Sequence, residues 1–196
     1  MGFANYLHIV RKLNNMGRWS NEYMHSRTTV SEHLFFVTQI GQMLGTIEEE
    51  NGNSVDWKKL YEKLINHDVP EAMTGDIINT MKYRESKLKE LVDKIEDELV
   101  EEELVANLDS PFKEKYREIL MNFKDGSLEG LILEYADRID ALLECVYELK
   151  LGNSQTFKEK YFVLVGKLEE SELVSVKYFL ANVLPDMVED IEVLEK

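Results

Sequence analysis

The sequence predicts an all-α fold, and three observations predict it. Apolar residues recur at intervals of three and four through most of the chain, the period of a helix with one buried face. Leu, Glu and Lys are abundant while only three prolines interrupt 196 residues. No stretch alternates apolar and polar residues as a half-buried strand requires. The expectation is one domain over residues 1–196, a helical bundle of about eight to ten helices.

Composition narrows the function. The net charge is −15 with no basic cluster, so a nucleic acid polymer would be repelled. A mononucleotide carries about two charges, which one metal ion and one or two cations can neutralise locally. No apolar run reaches membrane-spanning length, and Arg11 and Lys12 break the first twenty positions, unlike a signal peptide. Cys145 is the one cysteine, which rules out an internal disulfide. A cytoplasmic protein is expected.

Taken in order, residues 3–16 carry Phe3, Tyr6, Leu7, Ile9, Val10 and Leu13 at helical spacing, and Gly17 is expected to close this helix in a left-handed cap. Residues 18–27 lack periodicity and read as a functional loop. Thr29-Val30-Ser31-Glu32 fits a capping box. The helix it starts places Val30, His33, Leu34, Val37, Ile40, Gly41 and Leu44 on one face and ends near Glu50.

Asp56 caps the next helix, with Trp57, Leu60, Tyr61 and Leu64 inward. His67 and Asp68 continue that stripe at its C-terminal end. Pro70 cannot extend the helix in register, but it can open a short helix with Glu71 in the first turn. Thr74-Gly75-Asp76 then turns the chain. Residues 85–107 form a long acidic helix with Leu88, Leu91, Val92, Ile95, Leu99 and Leu104 as its stripe, and Glu96 to Glu103 as a solvated face. Ser110-Pro111 opens another helix, closed by Asp125-Gly126.

The helix over 127–151 has Leu128, Leu131, Ile132, Tyr135, Ile139, Leu142, Val146 and Leu149 on one side. Asp137 lies roughly opposite, beside Leu133, Ala136 and Ala141. This helix should pack on two sides, with Asp137 facing a cleft and Cys145 buried. Gly152 ends it. Ser154 and Ser171 are expected to cap the last helices, and Pro185 to break one.

Four of these residues share metal-ligand chemistry. His33 sits inward in a capped first turn, His67-Asp68 at a helix end where the chain turns, and Asp137 on a two-faced helix. Two imidazoles and two carboxylates suit one divalent ion such as Mn, Co, Fe, Ni or Zn, with positions left for water and substrate. The absence of cysteine ligands argues against a structural zinc.

This H…HD…D set resembles the signature of the HD-domain metal-dependent phosphohydrolases. Arg18-Trp19, Ser31-Glu32-His33, His67-Asp68, Glu71, Thr74-Gly75-Asp76, Lys82-Tyr83 and Glu134-Tyr135-Ala136-Asp137 extend the likeness to the YfbR-like 5'-deoxynucleotidases, over roughly residues 1 to 150. The resemblance implies an all-helical HD domain with one metal ion, hydrolysing the phosphate ester of deoxyribonucleoside 5'-monophosphates. Residues 20–27 match no pattern, and Pro70 interrupts the segment between Asp68 and Glu71.

Within that reading, Glu71 is the candidate general acid for the leaving alkoxide, which requires it to hold a proton at working pH. Arg18 is the phosphate clamp. Trp19 offers a flat wall that would exclude a 2'-hydroxyl. Asp76 could accept from the sugar 3'-hydroxyl or cap the next short segment, and Lys82 could add charge toward phosphate. The alternatives are a deoxynucleoside triphosphate triphosphohydrolase, which would draw further on Arg27 and Arg84, and a non-catalytic metal–nucleotide sensor. A (p)ppGpp hydrolase is disfavoured because Glu71-Ala72 stands where a Glu-Asp pair is expected, and the Gly-Tyr-Pro run of cyclic-dinucleotide hydrolases is absent. Homodimerisation fits the commonest symmetry of such domains.

Overall fold

The structure is a computed structural model, and it describes residues 2–75, 86–121, 123 and 125–191, with backbone alone at 86–89 and 93. All regular elements among these residues are helical, and one isolated bridge joins Gly17 to Thr29. None of the described helices is long and apolar enough to cross a membrane. The chain packs as two compact units, residues 1–21, 27–34 and 65–123 in the first and 22–26, 35–64 and 124–196 in the second.

The first unit contains α1 (Gly2–Val10), a 3₁₀ stretch over Arg11–Asn15, the first turn of α2 (Val30–Glu50), α4 (Glu71–Thr74), α5 (Ser86–Leu99), a π-helical stretch over Val100–Val105 and α6 (Phe112–Met121). Its core gathers Ile9, Leu13, Val30, Val69, Ala72, Val100, Leu104, Val105 and Leu120. Three of these, Val30, Val69 and Ala72, stand within three residues of His33, Asp68 or Glu71. Core packing therefore sets the site's backbone.

Two expectations change here. The helix over 3–16 tightens to 3₁₀ after Val10, and Gly17 is not left-handed. Met16 is already extended, and its carbonyl accepts from Val30 N at 2.8 Å, so the chain leaves the helix to pair with residues 28–30. The left-handed residue is Trp19, at φ 53°. In the acidic helix, Leu91 and Ile95 are exposed, while Val100 is buried. There the ladder shifts to a five-residue span, with Ala106 N donating to Glu101 O at 2.7 Å. The shift turns Val100, Leu104 and Val105 inward together. Glu101 stays outside, where the Arg117 fork grips it with two bonds of 2.7 Å.

The second unit contains the rest of α2, α3 (Trp57–Asn66), α7 (Leu128–Lys150), α8 (Ser154–Glu169), α9 (Val174–Asn182) and α10 (Leu184–Val188). Asp56 caps α3 as expected, accepting from Lys59 N at 3.0 Å. Gly41 and Gly45 let α3 lie close on α2: a Cβ at Gly41 would stand 2.5 Å from both terminal carbons of Leu64, and one at Gly45 3.0 Å from Leu60 and Trp57.

Ser127 caps α7 by accepting from Gly130 N at 3.2 Å. This helix is buried on two sides, as its sequence implies, but the second side is also lined by acids: Asp140, Glu144 and Glu148 are all buried beside Leu133 and Ala136. Burial pushes the Cys145 thiol up to about 12, which leaves it inert. Asn153, not Ser154, occupies the cap position of α8. Ser171 bonds Leu173 N ahead of α9, while the buried Glu48 carboxylate accepts from Ser175 N at 2.8 Å in its first turn. Pro185 opens α10 just after the break at Val183.

Candidate metal centre

His33 is positioned by the capping box. Thr29 N donates to Glu32 Oε2 at 2.7 Å and Glu32 N donates to Thr29 Oγ1 at 3.3 Å. The Thr29 backbone N–H, and then its hydroxyl, hold the Glu32 carboxyl below the usual range. With Val30 fully buried as anchor, His33 follows one turn later, itself 1% exposed.

His67 and Asp68 lie just past α3 in a run of tight turns. Val69 N donates to Asn66 O, Glu71 N to Asp68 O, Ala72 N to Val69 O and Met73 N to Pro70 O, at 3.0 to 3.1 Å. The bond missing from this three-residue ladder is the one an N–H at position 70 would give to the His67 carbonyl. Proline has no such N–H, and its φ of −55° suits the turn. Pro70 therefore stands immediately before α4, one residue earlier than expected. Gly75, at φ 78°, ends α4 in a conformation that glycine adopts without strain.

The two segments bring three donor atoms together. His33 Nε2 is 3.2 Å from Asp68 Oδ2, His67 Nε2 is 3.4 Å from the same oxygen, and the two imidazole nitrogens are 3.3 Å apart. Among the described residues this is the group of histidine, cysteine and acidic side chains that could hold an ion. Two donors about 2.1 Å from one ion are about 3.0 Å apart at right angles and about 3.4 Å apart at the tetrahedral angle. The observed spacings fall in that interval, and the N₂O donor set suits a borderline divalent ion.

Arg18 flanks the triangle, with Nη1 3.9 Å from Asp68 Oδ2. Its side chain is mostly buried, and its backbone N donates to Thr28 O at 3.0 Å. Trp19 follows, half-buried, its left-handed backbone costing about 1–3 kcal/mol for a bulky residue. Glu71 begins α4, half-buried, with its Oε2 atom shielded from solvent.

Of the expected ligands, His33, His67 and Asp68 converge. Asp137 lies on α7 in the second unit, half-buried between Ala136 and Arg138. Asp76 and Lys82 lie outside the described residues, as does Arg84.

Sequence reasoning missed Glu148. It accepts from the backbone N–H groups of His25 and Ser26 at 2.9 and 2.8 Å and from Asn153 Nδ2 at 2.7 Å, and Asn153 also donates to Tyr23 O. Burial pushes the Glu148 carboxyl up, but Asn153 and the two loop N–H groups outweigh it and hold the carboxyl below its usual range. Residues 22–26, which match no pattern, are thus tied to α7. A signal was present: Asp140, Glu144 and Glu148 repeat at four-residue spacing on the side that also carries Leu133, Ala136 and Asp137.

The pattern of the YfbR-like 5'-deoxynucleotidase family matches residues 5–187. A 5'-deoxynucleotidase from Shewanella oneidensis is 26% identical over 192 residues, covering 97% of both chains. Another, from Vibrio vulnificus, is 27% identical over 186 residues and covers 92% of both. The crystal structure of an HD-domain phosphohydrolase from Listeria innocua superposes with a TM-score of 0.88 at 36% identity, covering 97% of this chain and 91% of that one.

Proposed function

The chain belongs to the YfbR-like 5'-deoxynucleotidase family, a group of HD-fold phosphoric monoester hydrolases, and we propose that it removes the 5'-phosphate from deoxyribonucleoside 5'-monophosphates with one divalent ion bound. The observation that carries this reading is the triangle of His33 Nε2, His67 Nε2 and Asp68 Oδ2, with the Arg18 guanidinium beside it.

His33, His67 and Asp68 would hold the ion, and Asp137 joins them on the strength of the H…HD…D pattern. When bound, the ion supplies Lewis acidity toward phosphate and a water of lowered pKa. Arg18 binds phosphate oxygens in its planar fork and compensates the Asp68 charge. As the P–O5' bond breaks, Glu71 gives its proton to the departing 5'-oxygen, which otherwise leaves as a poor alkoxide. Trp19 lines the sugar and excludes a 2'-hydroxyl. Asp76 and Lys82 keep their roles toward the 3'-hydroxyl and the phosphate by resemblance alone.

Chelated protein should be resupplied with Mn, Co or Mg and offered dNMPs, NMPs, dNDPs and dNTPs. Phosphate released from dNMPs alone is the expected result. Tripolyphosphate from dNTPs would show a triphosphohydrolase instead, and binding without turnover of any nucleotide would show a sensor.

A further inference from the structure

We propose that Arg27 is a positioning residue that holds Arg18 and Trp19 in place, and so sets substrate affinity and sugar discrimination without touching substrate. The proposal rests on the roles given above to Arg18 and Trp19. Three observations within the first unit carry it. Arg27 Nη1 donates to the carbonyl oxygens of both Arg18 and Trp19. Trp19 is the residue in the left-handed conformation, which a bulky side chain keeps only where its surroundings hold it. The Arg27 side chain lies across Gly17, where a Cβ would stand 2.6 Å from Arg27 Cδ.

These contacts make one clamp. Pairing of Gly17 with Thr29, and of Arg18 N with Thr28 O, brings the two ends of the 17–29 segment together. Arg27 then reaches back from the returning end across Gly17. Its positive charge gathers two adjacent carbonyls, an arrangement that needs their dipoles turned to the same side. Extended residues point successive carbonyls to opposite sides, so the arrangement goes with the turn at Trp19. Gly17 is needed here for space: its φ is not positive, and what it provides is room for the arginine chain.

The test uses the full chain, metal-loaded, as Arg27→Ala, Arg27→Lys and Gly17→Ala. Arg27→Ala should keep the wild-type helicity and metal content while raising KM for a dNMP about tenfold, with kcat changed by less than about threefold. Preference for dNMP over NMP should fall about fivefold or more as the Trp19 wall loosens. Gly17→Ala should reproduce both effects by displacing Arg27, and the double variant should be no worse than either single one. Arg27→Lys should recover part of the loss, since an ammonium can still reach a carbonyl.

A second readout does not depend on turnover. Trp57 is the one other tryptophan, so a Trp57→Phe background reports Trp19 alone. There, Arg27→Ala should raise acrylamide quenching about twofold. Unchanged KM, sugar preference and quenching in Arg27→Ala would overturn the proposal. If wild-type protein hydrolyses no dNMP, the functional reading fails by itself, and the quenching comparison still decides whether Arg27 holds Trp19. If Arg27→Ala loses helicity, the unfolding assigns Arg27 to the fold, and the proposal fails unless Gly17→Ala stays folded and shows the KM shift.

Discussion

His33 Nε2 and Asp68 Oδ2 meet at 3.2 Å, one from the first turn of α2 and the other from the turn that follows α3. Neither residue is placed by the other. A capping box with a buried Val30 sets His33, and a proline-tolerant run of tight turns with buried Val69 and Ala72 sets Asp68. Removing one ligand should therefore empty the site without unfolding it. Asp68→Ala and His33→Ala should each drop metal content from about one ion per chain to near zero, with the far-ultraviolet helix signal intact. Full metal retention in either variant would refute the ligand assignment.

Glu71 tests the division of labour between the triangle and the acid. Glu71→Gln keeps the shape and removes the transferable proton. Metal content should stay at the wild-type level, while kcat on a dNMP falls about 10²- to 10⁴-fold. A fully active Glu71→Gln would remove Glu71 from the reaction.

Two glycines should respond oppositely to the same substitution. At Gly41 a methyl group meets the fully buried Leu64 at 2.5 Å. Gly41→Ala should therefore lose about 1–2 kcal/mol, overpacking exceeding the gain in helix propensity. At Gly166, inside α8, nothing lies within 4 Å. Gly166→Ala should gain up to about 1 kcal/mol. Urea denaturation of both variants reads the two signs, and equal signs would contradict the packing described for α2 and α3.

Glu148 gives a pH dependence. Its carboxyl is held below the usual range in the folded chain, so the folded state binds its proton less readily than the unfolded one. Its stabilisation is complete above the unfolded value near 4.5 and is lost as pH falls through the lower folded value. Glu148→Gln should cost about 1–3 kcal/mol at neutral pH, as a charged acceptor of three hydrogen bonds is replaced. The deficit against wild type should shrink below about pH 4.5, where the unfolded wild-type chain takes up a proton that the folded carboxylate still refuses. Chemical denaturation at pH 7 and pH 4 measures this, and a deficit equal at both would refute the role given to the charge.

What could be read in advance was local. Thr29 and Glu32 are three residues apart, and their capping box follows from that spacing. His67 and Asp68 stand before a proline that marks the end of a helix. The burial of Val30, Val37 and Leu44 follows from helical period. What could not be read depends on contacts distant in sequence. Glu148 binds backbone N–H groups more than a hundred residues away, and backbone donors leave no mark on a sequence. The shift to a π ladder at Val100 depends on which of several apolar residues the core accepts. The left-handed residue was expected at Gly17 by propensity, but Arg27 takes the space over Gly17 and the turn falls on Trp19.

If the triangle of His33, His67 and Asp68 holds one ion, hydrolysis of a deoxyribonucleoside 5'-monophosphate should depend on that ion. The direct measurement is phosphate release from a dNMP while chelated protein is titrated with Co²⁺. Activity should be near zero at the start, rise linearly and break at one ion per chain. Undiminished release by the chelated protein, or no release once the ion is bound, would show that the triangle does not support this hydrolysis.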